Sequence, residues 1–150
     1  MCSAEQATGR ERILEEAAAL FVRQGYRETT LRDIAAAAGM KAGSIYYHFD
    51  GKDEIAARVL DQGMHGLTAS VQQHLQSLGP GAPFRARLEA AVQGHLWGML
   101  HHGDFTAAHI RIYRHVTEAV RRRHRAVRSA YTRLWDELLA DGAAAGAVRA

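Results

Sequence analysis

Apolar residues recur at steps of three and four along the whole chain, and no stretch alternates strictly between apolar and polar. That period belongs to helices, so the pattern predicts an all-α protein. The first run, Ile13, Leu14, Ala17, Ala18, Leu20 and Phe21, predicts a helix from about Gly9 to Gln24. Thr8 and Glu11 have capping-box spacing at its start, and Gly25 stops it. A long stripe through Ile55, Val59, Met64, Leu67, Val71, Leu75 and Leu78 predicts a helix from near Lys52, capped by Asp50 or Gly51. Gly63 and Gly66 interrupt it and mark either a bend or a close helix contact. Gly79-Pro80-Gly81-Ala82-Pro83 is the clearest break. Beyond it the pattern predicts helices from Phe84 to about His102-Gly103, from Asp104 to Arg121 and from Ala126 to Gly142.

The segment from Thr30 to Phe49 is short and tightly punctuated. Thr30 can cap a helix, with Asp33 as its reciprocal partner. Ile34, Ala35 and Ala38 form the inner face, and Gly39 can turn left-handed after it. A second helix is predicted over Ala42 to Phe49, with Ile45 and Phe49 inward. Lys41, Ala42, Gly43, Ser44, Tyr46, Tyr47 and His48 are left outward. Two short helices joined by a tight turn are the layout of a helix-turn-helix.

That outer face suits DNA. Small residues at its leading end allow close approach to base edges, which places Lys41 and Ser44 at or beside base readout beyond Ala42 and Gly43. Tyr47, His48, Thr30 and Lys52 are expected to hold phosphates, which fix register rather than sequence. Tyr46 is divided between a ring laid on the domain and a hydroxyl reaching out.

From Arg10 to Leu60 the chain resembles the TetR family of bacterial transcription regulators. The resemblance rests on Thr30, Ile34, Ala35, Ala38, Gly39, Gly43, Ile45, Tyr46, His48, Phe49 and Lys52, with Ile13, Ala17, Leu20, Phe21, Gly25, Tyr26 and Thr29 upstream. Two positions depart from the family pattern. Lys41 stands where a small hydroxyl residue usually caps the recognition helix, and Ala42 where a basic or polar residue often meets DNA. The resemblance implies a DNA-binding unit over residues 1–51 and a helical ligand-binding and dimerisation part over 52–150, with the long helix serving both. It implies a homodimer on a pseudo-palindromic operator, controlled by a small molecule. Family members usually continue with two more helices that build the dimer interface. Contact through the Ala126–Gly142 helix, by Tyr131, Leu134, Trp135 and Leu138, is therefore expected here instead.

Composition adds bounds. Hydrophobic residues make up 47% of 150 residues, enough for a packed core. The net charge is only +3, and the seven basic residues up to Lys52 are matched by seven acidic ones. A basic DNA-facing surface must therefore arise by segregation onto one face. The single cysteine, Cys2, excludes an internal disulfide. No apolar run approaches the roughly 20 residues that span a bilayer. With no signal pattern at the start, the expectation is a cytoplasmic protein without membrane contact.

The second half carries less chemistry. Nine histidines raise a metal reading, but His95, His101, His102 and His109 come with no ligand-spaced Cys or carboxylate, so no metal or other cofactor is expected. The run Arg121, Arg122, Arg123, His124, Arg125 and Arg128 is either a solvated helix end or an anion site suited to an acyl-coenzyme A. Leu96, Met99, Tyr113, Tyr131 and Trp135 are the candidate lining of an effector pocket, though the same residues suit a solid core. There is no phosphate loop, nucleophile elbow or carboxylate pair, so no enzyme is expected. The reading is a DNA-binding regulator, most simply a repressor released by a small effector. The alternative is a helical protein-interaction module with an idle helix-turn-helix.

Overall fold

The computed structural model describes residues 2–101 and 103–148, with side chains from Gly9 onward. Helix α1 (Cys2–Gln24) is followed by α2 (Leu31–Ala37), a 3-10 recognition helix (Ala42–Tyr47), α3 (Lys52–Gln76), α4 (Phe84–His101), α5 (Gly103–Ile112) and α6 (Glu118–Ala144). No strand occurs among the described residues. Among them, no helix is long and apolar enough to cross a membrane.

α3 is the spine, packing against α1, α4, α5 and α6. Its first half joins a core of Ile13, Phe21, Ile34, Ile45, Phe49, Ile55 and Leu60 that continues into Ala108, Ile112, Val116 and Val120. The core that holds the recognition helix thus runs on into α5 and the start of α6. A second core surrounds Val71, Ala91 and Leu138, with Phe84, Leu88, Tyr131, Leu134 and Trp135 packed on it.

Two close approaches set the α3 contacts. A Cβ on Gly63 would meet the Phe105 carbonyl oxygen at 2.6 Å, so this glycine lets α5 lie directly on α3. A Cβ on Gly94 would meet the Ser70 carbonyl oxygen at 2.8 Å, and the Ser70 hydroxyl donates to the Gly94 carbonyl at 2.7 Å. Of the two meanings expected for Gly63, a close contact is the one found.

Three boundaries differ from the sequence expectation. α1 begins at Cys2, so Thr8 lies within the helix instead of capping it, and its side chain is outside the described residues. The recognition helix ends at Tyr47 and is 3-10, not a helix through Phe49. α5 ends at Ile112, and α6 then runs unbroken from Glu118. Thr117 starts that helix: its backbone is extended and its hydroxyl accepts from the Val120 amide at 3.3 Å. The basic run lies inside α6 and is not a connection between helices.

Candidate nucleic-acid interface

The site is built from the α2 end, one turn and the recognition helix. The Thr30 hydroxyl accepts from the Asp33 amide at 3.2 Å, and Asp33 Oδ2 accepts from the Thr30 amide at 2.8 Å, completing the capping box. The Thr30 bonds hold the Asp33 carboxyl below its usual range. Gly39 ends α2 at φ 68°, a conformation that a side chain would strain. The Met40 amide then closes the turn on the Ala35 carbonyl at 2.8 Å, while Arg12 reaches from α1 to the Ala38 carbonyl at 2.5 Å.

The recognition helix is tight because little favours a longer one. Lys41 supplies no side-chain cap. Gly43 and Ser44 are weak helix formers, and a stretch this short gains little from cooperativity. The Ser44 amide bonds the Lys41 carbonyl and the His48 amide bonds the Ile45 carbonyl, both at 2.9 Å and both 3-10 spaced. Ile45 and Phe49 anchor this element, at 0% and 2% exposure. The Arg10 guanidinium lies 4.3 Å from the Phe49 ring centre and donates to the His48 carbonyl at 2.8 Å.

Opposite these anchors, Lys41, Ala42, Gly43, Tyr46 and Tyr47 are exposed, with Ser44 and His48 half-buried. The structure therefore gathers the outward residues expected from the sequence onto one surface. Gly43 has nothing within 4 Å of where a Cβ would stand, so the fold does not require glycine there. Tyr46 is 64% exposed, so its ring does not lie on the domain.

Lys52 has another role. Its Nζ donates to the Tyr26 carbonyl at 2.9 Å and the Thr29 carbonyl at 3.0 Å, over the Tyr26 ring. Two of its three protons are thus committed to the α1–α2 turn, which leaves one for a phosphate. Spacing along the sequence gave no sign of this, nor of the part taken by Arg10 and Arg12, because each partner is more than twenty residues away.

The five residues expected to line an effector pocket do not meet. Leu96 and Met99 sit on the outer face of α4, 53% and 38% exposed. Tyr113 stacks on His109 beside the first core. Tyr131 and Trp135 do come together, and His95 Nδ1 lies 2.5 Å from the Tyr131 hydroxyl. Burial raises the Tyr131 hydroxyl above its ordinary range, opposed by Trp135. The apolar side chains expected to be uncovered on α6 also face inward: Tyr131, Leu134 and Trp135 are half-buried against the second core, and Leu138 is buried in it. Uncovered apolar surface is concentrated instead on α4, at Val92, Leu96, Trp97, Met99 and Leu100, with Ile110 on α5 and Leu139 on α6 also exposed. In the basic run, Arg121 and Arg125 pair with Glu118 at 3.0 and 3.7 Å, and Arg128 lies over the Tyr113 ring. His102 is outside the described residues.

Known proteins supply the remaining comparison. The family described as "Bacterial regulatory proteins, tetR family" matches residues 13–59, and "Tetracyclin repressor-like, C-terminal domain" matches residues 81–150. The probable transcriptional regulatory protein RHA5900 is 30% identical over 94% of this chain and 74% of its own, with a TM-score of 0.66. The chain belongs to the TetR family. Among its TetR-family relatives, the HTH-type transcriptional repressor KstR2 of Rhodococcus jostii (strain RHA1) is 41% identical over 83 residues. That match covers 55% of this chain and 39% of the repressor, so only part of KstR2 is represented. The superantigen PfiT is also similar, with a TM-score of 0.83 and 31% identity over 95% of this chain and 74% of its own. The family match over residues 13–59 takes in the whole recognition surface described above.

Proposed function

We propose that this TetR-family chain is a sequence-specific DNA-binding transcriptional repressor. The observation that carries the reading is the strip of Lys41, Ala42, Gly43 and Tyr47, exposed on a helix whose opposite face is locked by Ile45 and Phe49. A rigid element with small residues at its leading end fits a major groove. KstR2, named a repressor, supports the direction of control. Action on DNA places the protein in the cytoplasm.

The test is fluorescence anisotropy with operator DNA selected from a random pool, over a series of salt concentrations. Gly43→Leu is expected to abolish specific binding and leave the thermal midpoint unchanged, since the site is open to solvent. Tyr47→Phe removes a hydroxyl from a ring that is 89% exposed and is expected to weaken binding about tenfold at all sequences, the worth of one hydrogen bond to a charged group. Gly43→Leu binding as tightly as the parent would move the DNA contact off this strip, and a parent that shows no salt-dependent binding to any selected DNA would leave the interaction-module reading in its place.

Two half-sites give the base contacts that one lacks, so the functional form is a homodimer. We assign the contact with the second copy to the outer face of α4, where Val92, Leu96 and Leu100 form a stripe at helical spacing. Leu96→Glu with Leu100→Glu is expected to yield a monomer in sedimentation at concentrations where the parent is dimeric. An unchanged sedimentation coefficient would place the interface elsewhere.

The effector is proposed to be a small molecule seated between α4 and α6 at His95, Tyr131 and Trp135. An acyl-coenzyme A is the class to try first, since the arginine run of α6 supplies positive charge on the same helix as Tyr131 and Trp135. Calorimetric titration with a short acyl-coenzyme A and with free coenzyme A tests this. Failure of both to bind or to release DNA removes that class.

A further inference from the structure

Three elements distant in sequence meet on one carboxylate at the first turn of α3. The Tyr26 hydroxyl, from the turn after α1, donates to Asp53 Oδ1. The Thr117 hydroxyl donates to Asp53 Oδ2 at 2.7 Å. Thr117 is also the N-cap of α6 and accepts the Val120 amide, so its hydroxyl is fixed as donor and acceptor at once. The neighbouring Lys52 holds the Tyr26 and Thr29 carbonyls. Consecutive residues of α3 therefore grip Tyr26 at its backbone and at its hydroxyl. The next residue after Thr29 is Thr30, the cap of α2.

We propose that Asp53 is a positioning residue for DNA binding, which ties the start of α6 through Thr117 to Tyr26 and thereby sets the placement of the α1–α2 turn and the recognition surface. The proposal rests on the DNA-binding reading only for the surface that is positioned; the link itself exists in the free protein.

Apolar packing alone does not do this. Val116 and Val120 bury in the same core, but such contacts are non-directional and tolerate sliding. Hydrogen bonds on both oxygens of one carboxylate fix distance and angle. Beside the link lies an open groove of about 470 Å³, lined in part by Tyr26, Arg27, Arg111 and His115, so side chains do not pack the α1–α2 turn solidly against the α5–α6 turn here. The carboxylate suits the role. Burial works against its charge, but the hydrogen bonds from Tyr26 and Thr117, with the Lys52 and Arg123 charges, outweigh it and hold its pKa below the usual range. A tilt of α6 imposed from the second half would be passed to the α1–α2 turn in a fixed direction by this carboxylate, beside the non-directional packing of Val116 and Val120.

Hydrogen exchange on the free full-length chain tests the link, with operator affinity measured separately. Thr117→Val is expected to raise exchange several-fold at the amides from Gly25 to Thr30, which belong to other elements than the substituted residue, and Thr117→Ser to restore it. In a Tyr26→Phe background, Thr117→Val is expected to add nothing at those amides, because the path is already cut. Asp53→Asn serves the same purpose if Tyr26→Phe does not fold. The proposal is overturned if exchange changes only in the first turn of α6, or if the effects of the two substitutions add. Amides that respond as expected in a chain that binds no DNA would support the link and remove the DNA-binding reading instead.

Discussion

Gly63→Val is expected to cost about 3 kcal/mol of stability, at the upper end of what overpacking usually does. The new Cβ would stand 2.6 Å from the Phe105 carbonyl oxygen and 2.9 Å from its carbon. Both are backbone atoms, so no side-chain rotation relieves the clash, and α5 must lift off α3. A domain of this size loses roughly 2–4 °C of melting temperature per kcal/mol, so the midpoint should fall by about 10 °C. Gly43→Ala is the control: it meets nothing within 4 Å and should change stability by less than about 0.5 kcal/mol. Equal stability of parent and Gly63→Val in urea would mean that the two helices are not in direct contact.

Stability should also fall as the solution is acidified from near pH 6.5 to near pH 4, and His109 is the reason. Burial, with the nearby His124 and Arg128 charges, depresses its pKa to about 4. His109 Nε2 lies 3.1 Å from His124 Nε2, and His124 Nδ1 is 2.7 Å from Asp61 Oδ1. In the unfolded chain the ring takes up a proton near its ordinary pKa; in the folded chain it stays neutral. The unfolded state thus binds more protons between the two values, so stability rises with pH there and is lost as pH falls. Below about 4 both states are protonated and the loss from this group stops. Its size is on the order of 2 kcal/mol after discounting for partial exposure. Urea unfolding at a series of pH values should show a slope of about one proton in this window, absent in His109→Phe. The same slope in the variant would assign it to other groups.

Features that depend on a few neighbouring residues could be read from the sequence. Gly25 and Gly39 do end their helices at positive φ, Thr30 and Asp33 do form a capping box, and Ile45 and Phe49 are the buried anchors. In each case the partners lie within a turn or two of chain. Local signals misled where a stronger neighbour prevailed: Thr8 and Glu11 have capping spacing, yet the helix continues back to Cys2. The α5–α6 break was hidden because helical periodicity persists through Ile112, Val116 and Val120, all of which are buried on one core. The cap that makes the break, Thr117, carries no special spacing. Pairs such as Asp53 with Thr117 and Asp61 with His124, more than sixty residues apart, leave no trace in a single sequence. The expected pocket residues on α4 show the same limit: Gly94 and Gly98 are the positions that turn toward α3, which leaves Leu96 and Met99 on the outer side.

If the segment Ala42–Tyr47 reads DNA as proposed, its 3-10 winding changes the step at which base pairs are met. Such a helix rises about 2 Å per residue, and side chains three apart stand one above another. Ser44 and Tyr47 therefore share a column about 6 Å apart, with Lys41 at its foot. An α-helix would place the same residues about 4.5 Å apart and fan them around the axis. Base pairs stack every 3.4 Å or so, and the column thus strides across nearly two of them at a time. On the proposed reading, the column therefore runs from Lys41 and Ser44 at the base edges to Tyr47 at the backbone, and base preference in the operator should be confined to the few positions facing Lys41 and Ser44.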